Sequence, residues 1–333
     1  MNQPKSPSIR TFLKLTVAAL AAATGMTVQA QGNLKEITYL MPAPPSLPAF
    51  APWRIAEAKG YYAAEGLKMK WVLAKGGVDV AKQVGAGNAL MGGGIGDTPL
   101  IVRANGVPVK AVAVLGGGSL MLLATRADAN IKSVADLKGK TITVLSYTDT
   151  TYYALLGSMK KAGLGKSDAS IQAAGPAGIW QLFAAGKAQA MAGTADWIAA
   201  AEGNGTKVNI ISPAQLFQSM AQAVIASDDA IKNHPETVQK VVRATLKGLK
   251  TMMDDPKGAV EAFVQAVPDF KGKEAMLERS FALSRQYVYA GQKTLGAMDR
   301  ARLDAVQKYY VEEGVVSKAT ALDDLYTNQF VGK

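Results

Sequence analysis

Between Ile37 and Val72 the hydrophobic period of the chain changes twice, and few folds accommodate that change. Ile37–Met41 is a short apolar run, and Pro42–Pro48 is a loop stiffened by prolines. Trp53–Lys59 then has helical spacing, with Pro52 suited to a first helical turn and Gly60 to the left-handed residue just past the end. Gly66 permits a sharp turn into Leu67–Val72, where Leu67, Met69 and Trp71 alternate with Lys68 and Lys70. The unit reads strand, loop, helix, turn, strand, which is how a parallel α/β sheet begins.

The ends and the composition narrow the class. Lys5, Arg10 and Lys14 precede an apolar run, Leu15–Met26, too short to span a bilayer. Val28-Gln29-Ala30 follows with small residues where a signal peptidase cuts, so residues 1–30 are expected to be a cleaved signal peptide with cleavage near Ala30. The 333 residues contain no cysteine, which excludes disulfides, thiolate metal sites, thiol nucleophiles and a lipid-anchored cysteine. A freely soluble periplasmic protein is the expectation. Net charge is +11; without the three leader cations, 34 basic against 26 acidic residues leave +8. The lysines are scattered, with no basic run interleaved with aromatics, so no nucleic-acid partner is expected. About 300 mature residues exceed one ordinary core, so two domains are expected.

Short apolar runs recur at Val109–Leu115, Leu120–Thr125, Thr141–Leu145, Ala188–Ala192, Val208–Ile211 and Ala223–Ala226, reading as buried strands. Helical patterns such as Thr151–Ala162 and Gly178–Ala185 lie between them, which favours mostly parallel sheets covered by helices. The last third is almost entirely helical: in Pro235–Met253 the residues Val238, Val241, Val242, Leu246, Leu249 and Met253 share a face. Asp255-Pro256 opens another helix, and Asp299–Glu313 turns Leu303, Val306 and Tyr310 inward before Gly314. Gly116-Gly117-Gly118-Ser119 and Ser219–Ala226 read as two joints between lobes, the glycines alternatively as a simple loop.

Four motifs then appear in order. They are Ala58-Lys59-Gly60-Tyr61-Tyr62-Ala63-Ala64-Glu65-Gly66-Leu67; Gly92-Gly93-Gly94-Ile95-Gly96-Asp97-Thr98-Pro99; Val134-Ala135-Asp136-Leu137-Lys138-Gly139-Lys140; and Ala185-Gly186-Lys187-Ala188-Gln189-Ala190. With them the chain resembles the periplasmic solute-binding proteins of the nitrate/sulfonate/taurine ABC importers, a family that extends to receptors for thiamine precursors. The resemblance implies a type II periplasmic-binding fold, α/β, with two lobes sandwiching a ligand. Lobe 1 would be discontinuous, 31–118 plus 219–333, and lobe 2 would be 119–218. It also implies a small-molecule ligand, an ABC permease and its ATPase as partners, a monomer, and no cofactor or metal.

In open parallel sheets, ligands bind beyond the carboxyl ends of strands, where loops enter helix N-termini. Four loops qualify. Met41–Phe50 offers Ser46 and Phe50. Gly96–Pro99 offers Asp97 and Thr98, either of which also suits a helix N-cap. Ser146–Tyr152 is dense in hydroxyls: Ser146, Thr148, Thr150, Thr151 and Tyr152 are candidates. Gly193–Trp197 offers Thr194, Asp196 and Trp197, the last as a stacking platform or a core residue.

Hydroxyls and helix N-termini suit a sulfonate, nitrate or carboxylate. Asp97, Asp149 and Asp196 near one cleft suit an amine or N-heterocycle instead, and the residues leave that choice open. Enzymes are disfavoured. A pyrimidine-synthase-like activity relies on cysteines and histidines, and the chain has no Cys and a single histidine, His234, at a helix start. A Ser-His-Asp triad would need that same histidine, an HExxH zinc site needs two, and neither GxGxxG nor GxxxxGK[ST] occurs. A sensor lobe serving another membrane protein would need the same cleft as a transport receptor.

Overall fold

The computed structural model describes Met1 and residues 34–332, so the proposed leader, 1–30, lies outside the described residues. From Lys35 onward the chain packs as one unit containing two five-stranded sheets. The first has the order β2-β1-β3-β10-β4, with β1 Lys35–Met41, β2 Leu67–Leu73, β3 Met91–Ile95, β4 Val109–Val114 and β10 Gln222–Ser227. The second has the order β7-β6-β8-β5-β9, with β5 Leu122–Arg126, β6 Thr141–Val144, β7 Ser170–Ala173, β8 Ala190–Gly193 and β9 Val208–Ile210. Each sheet is mixed. β10 runs against β3 and β4, and β5 runs against β8 and β9, while the remaining strands in each sheet share one direction. The reversed strands are the two that follow a passage of the chain from one sheet to the other. A strand entering from a neighbouring sheet needs no helical return, so nothing obliges it to be parallel.

The opening unit folds as its residues indicate. β1 and β2 pair in parallel from Lys35↔Leu67 to Met41↔Leu73, and Gly60 and Gly66 sit at φ 71° and 76°. Two strands escape the sequence pattern. β3 is Met-Gly-Gly-Gly-Ile, which has little strand propensity, yet it is fully buried between β1 and β10. β7 is a largely exposed edge strand. β9, expected to be buried, lies at the opposite edge and is only partly covered.

The two passages run side by side. Leu115 N–H donates to Gln222 O at 2.7 Å, Leu120 N–H donates to Met220 O at 3.2 Å, and the hydroxyls of Ser119 and Ser219 lie 2.6 Å apart, buried. Gly116-Gly117-Gly118 is more than a flexible loop, because the backbone of Tyr287–Gly291 lies directly on it. Gly118 N–H donates to Val288 O at 2.8 Å, and a Cβ on Gly118 would stand 1.9 Å from Tyr287 O. Arg302 grips both passages: Nε donates to Gln218 O at 3.0 Å, and its terminal nitrogens donate to Gly117 O and Ser219 O.

The carboxyl-terminal third is helical, and its helices serve both sheets. Pro235–Asp254 buries Val238, Val241, Val242 and Leu249 against the first sheet's core, but Met252 is the fully buried methionine and Met253 lies at the margin. Asp255 and Asp299 cap the helices they were expected to open, Pro256–Ala266 and Arg300–Glu312, accepting from Gly258 N–H and Arg302 N–H. Leu303, Val306 and Tyr310 face inward as expected. Helix Glu274–Ser284 crosses to the second sheet, where Leu283 joins Trp197 and Phe183 in one apolar cluster and Arg279 forms a bidentate ion pair with Glu202 at 2.6 and 2.8 Å.

Candidate functional site

The carboxyl ends of β1, β3, β6 and β8 converge with the amino ends of the reversed strands β5 and β10 around one cavity of about 560 Å³, open at its mouth. The topology forces this arrangement. A reversed strand presents its first residues at the edge where its parallel neighbours present their last, so Leu120 and Gln222 meet the loops after the parallel strands. Pro42, Ala43, Leu47, Ala49 and Phe50 come from the loop after β1, and Gly94 and Ile95 from the end of β3. Leu145, Asp149, Thr150 and Thr151 follow β6, and Thr194 and Trp197 follow β8. Gly77 completes the wall.

The walls are mainly apolar, as small-molecule sites usually are. Phe50 packs edge-on to Trp53 at 6.1 Å, and the Trp53 indole N–H donates to Tyr39 OH at 3.1 Å, so that side rests on a buried aromatic group. Gln222 ties the base together: its Nε2 donates to Ala49 O at 2.6 Å, and its Oε1 accepts from Tyr289 OH at 2.8 Å. No lysine, arginine or histidine belongs to this lining.

Asp149 is its one carboxylate. It caps helix Thr150–Lys161, and its Oδ1 accepts from both the N–H and the hydroxyl of Thr151. Among the described residues no hydrogen bond reaches its Oδ2. Burial pushes this carboxyl above its ordinary range, and the Thr151 bonds oppose the shift. Trp197 lies 6 % exposed, in the first turn of helix Ala195–Gly203, and its indole Nε1–H is sealed from solvent without an acceptor. The benzo edge of the ring, at Cε3 and Cζ3, lies against Gly193, which leaves the Nε1 edge facing away from β8.

Of the residues singled out from sequence, Phe50, Thr150, Thr151, Thr194 and Trp197 line this cavity, as does Asp149, one of the three carboxylates weighed there. The others lie elsewhere. Ser46 is exposed on the first loop, and Ser146 and Thr148 pair with each other at 3.2 Å near the surface. Tyr152 is buried in the second sheet's core, edge-on to Tyr147 at 5.4 Å. Thr98 turns its hydroxyl back to accept from Ile95 N–H at 3.0 Å. Asp97 caps nothing: fully buried, its Oδ2 accepts from Tyr310 OH at 2.6 Å and its Oδ1 has no partner. Burial raises its pKa to about 6, against the Tyr310 bond and the nearby Arg302. Asp196 sits behind the wall, accepting the Thr194 hydroxyl at 2.5 Å, and burial raises it as well. His234 is exposed and outside the lining, and no cluster of three His, Cys, Asp or Glu suited to a metal occurs among the described residues.

Sequence reasoning did not single out Pro42, Ala43, Leu47, Ala49, Ile95, Leu120, Leu145 or Gln222. Seven of these are apolar residues that look like any core residue, and only the position just before or after a strand end marks them. Gln222 opens the strand that brings the chain back to the first sheet, and that position was the available signal.

Comparison with known proteins agrees with this architecture. A family model described as NMT1/THI5-like matches residues 47–259, a span that holds all four sequence motifs. The riboflavin-binding protein RibY of Chloroflexus aurantiacus is 26% identical over 327 residues, covering 95% of this chain and 92% of its own. A 4-amino-5-hydroxymethyl-2-methylpyrimidine phosphate synthase of Aspergillus parasiticus is 26% identical over 253 residues, 71% of this chain and 72% of its own. The alkanesulfonate-binding protein SsuA of Xanthomonas axonopodis, solved bound to MOPS, superposes with a TM-score of 0.69 at 20% identity, over 90% of this chain and 99% of that one. The two-lobed α/β fold of periplasmic binding proteins is therefore the fold of this chain.

Proposed function

The chain belongs to the NMT1/THI5-like family, and on that premise we propose that it is the periplasmic substrate-binding subunit of an ABC importer. It captures a small organic solute and hands it to a permease driven by an ATPase. The observation that carries this reading is the cavity itself: its walls come in comparable parts from the two sheets, at the strand ends where helices begin. A solute held there touches both halves and favours their approach. On this reading residues 31–118 plus 219–333 form one lobe and 119–218 the other. The adjacent passages at Gly116–Ser119 and Ser219–Gln222 serve as the hinge, the leader is removed on export, and the receptor works as a monomer.

Charge selects among the ligand classes. An alkanesulfonate, nitrate or carboxylate would bring a full negative charge into walls that supply no cation and one carboxylate, whereas zwitterionic taurine would bring an ammonium for that carboxylate but a sulfonate with no cation. Helix N-termini soften that cost by about 1 kcal/mol each, less than desolvating a bare anion costs. An uncharged or cationic solute with a large apolar surface, of aromatic or N-heterocyclic type, fits better. The similarity to a riboflavin-binding protein supports this preference. Catalysis is not part of the proposal, despite the similarity to a pyrimidine phosphate synthase: the chain has no cysteine and its one histidine lies away from the cavity.

Scanning calorimetry against a solute panel tests the reading. A solute at one hundred times its dissociation constant stabilises the protein by about 2.7 kcal/mol. Aromatic and heterocyclic solutes should raise the melt while nitrate and small sulfonates leave it in place. A panel in which no class moves the melt would overturn the receptor assignment.

A further inference from the structure

Buried N–H groups nearly always find an acceptor, and an orphaned one costs about 1–3 kcal/mol. The Trp197 indole N–H is such a group, and it belongs to a residue of the cavity wall. Its benzo edge is fixed against Gly193, and its neighbours in the second sheet's apolar cluster, Ile179, Phe183 and Leu283, offer no side-chain acceptor. Across the same lining the polar groups are few. Gln222 is engaged at both ends by Ala49 and Tyr289, and Thr151 is committed to Asp149. Thr194 is committed to Asp196, and the Thr150 hydroxyl is unpaired but can turn to donate or accept. That leaves the Trp197 indole as the one side-chain N–H without an acceptor, and one carboxylate oxygen without a donor, Oδ2 of Asp149.

We propose that Trp197 is the specificity-determining donor of the cavity. Its solute is a flat, mainly apolar ring system with a ring nitrogen as hydrogen-bond acceptor on the edge that meets the indole N–H, and an N–H group for Asp149. This inference rests on the receptor reading and sharpens it. A site built to hydrogen-bond its ligand rejects an isostere lacking that atom far more strongly than an apolar pocket rejects a missing methylene, because the site's own group is left unpaired. Trp197 would therefore set which rings are accepted, while Phe50 and the aliphatic walls set how large they are.

The test uses matched solutes that differ only by a ring nitrogen in place of a ring CH: nicotinamide with benzamide, and quinoline-3-carboxamide with naphthalene-2-carboxamide. Affinities are measured by calorimetry on the full-length protein and on W197F. The Trp197 indole resonance, identified as the one absent from W197F, is followed in ¹⁵N-labelled protein. Wild type should prefer the acceptor-bearing member of a pair by about tenfold, and the indole N–H should move downfield on binding. W197F loses ring area for both members alike, so its affinity falls for both, but the ratio between them should shrink to within about twofold. An unchanged ratio in W197F, no preference in wild type, or an unmoved indole resonance in a protein that binds these solutes overturns the assignment while leaving the receptor reading intact. If none of these rings binds but nitrate or alkanesulfonates do, both the assignment and the ligand preference fall. If nothing binds, the receptor reading falls with them.

Discussion

Replacing Asp97 by asparagine should change how the stability of this protein depends on pH. Asp97 is fully buried, accepts one hydrogen bond from Tyr310 OH at 2.6 Å, and has a second oxygen with no partner. Burial holds its pKa at about 6 instead of the ordinary 3.8, even with Arg302 nearby. The native state therefore keeps a proton on this carboxyl that the unfolded chain releases. Its contribution to stability is complete below pH 3.8 and is lost as pH rises through about 6. At about 1.36 kcal/mol per pH unit, the gap between the two values is worth about 3 kcal/mol. Asparagine keeps an oxygen for Tyr310 and carries no charge to desolvate. Urea unfolding of wild type and D97N at several pH values from 4 to 8 measures the difference in free energy. That difference should shift in favour of D97N by about 2 kcal/mol between pH 4 and pH 7, the remainder having been lost below pH 4. Asp149 and Asp196 are pushed in the same direction by burial, but both proteins retain them, so they cancel in the difference. A difference that stays level across this range would refute the reasoning and mean that Asp97 is solvated or paired in solution.

Two further substitutions probe the frame around the cavity. R302M keeps the aliphatic stem but leaves the carbonyls of Gly117, Gln218 and Ser219 without their donor. Water in the surface groove beside Arg302, lined by Gly117, Met220, Gln292 and Asp299, can replace part of the loss, so a destabilisation of about 2–4 kcal/mol is expected in urea, with R302K recovering only a fraction because an ammonium cannot fork to three carbonyls; an R302M variant as stable as wild type would remove the clamp. Glycine to alanine in a helix interior ordinarily stabilises by about 1 kcal/mol. At Gly248, however, the new Cβ would stand 2.0 Å from Pro52 O, so G248A should instead lower the thermal midpoint by several degrees, and a raised midpoint would show that the helices Ala51–Ala58 and Pro235–Asp254 are not in close contact.

What could be read from the residues follows from which signals carry direction. Periodicity placed β1, β2 and the long helices because alternation and 3.6-residue spacing are imposed by the same burial that forms the core. It was silent on β3, where Val80 and Leu40 leave no room for a side chain at Gly92, nor Ile225 and Thr98 at Gly94. It was silent too on the reversal of β5 and β10, since an apolar run reads alike in both directions. At the cavity, hydroxyl density pointed to the loop after β6 without separating the residues that line the cavity from those that do not. Thr150 and Thr151 face the cavity because the helix begins there, whereas Ser146 and Thr148, just before it, remain near solvent. Asp97 reads from sequence as a ligand contact or a cap, but its side chain makes no cap hydrogen bond and lies outside the cavity lining; its partner Tyr310 is distant in sequence, and no local pattern announces the pair.

The late arrival of β10 bears on how the polypeptide acquires its shape. β3 and β4 are each one hydrogen-bonded neighbour short until Gln222–Ser227 inserts between them, after every strand of the second sheet has been synthesised. A glycine-rich strand holds an open edge poorly, so the amino-terminal half cannot complete itself as it emerges. Contacts of such long sequence separation form slowly. On the export route proposed above, that delay keeps the chain unfolded until the last crossing strand has been delivered.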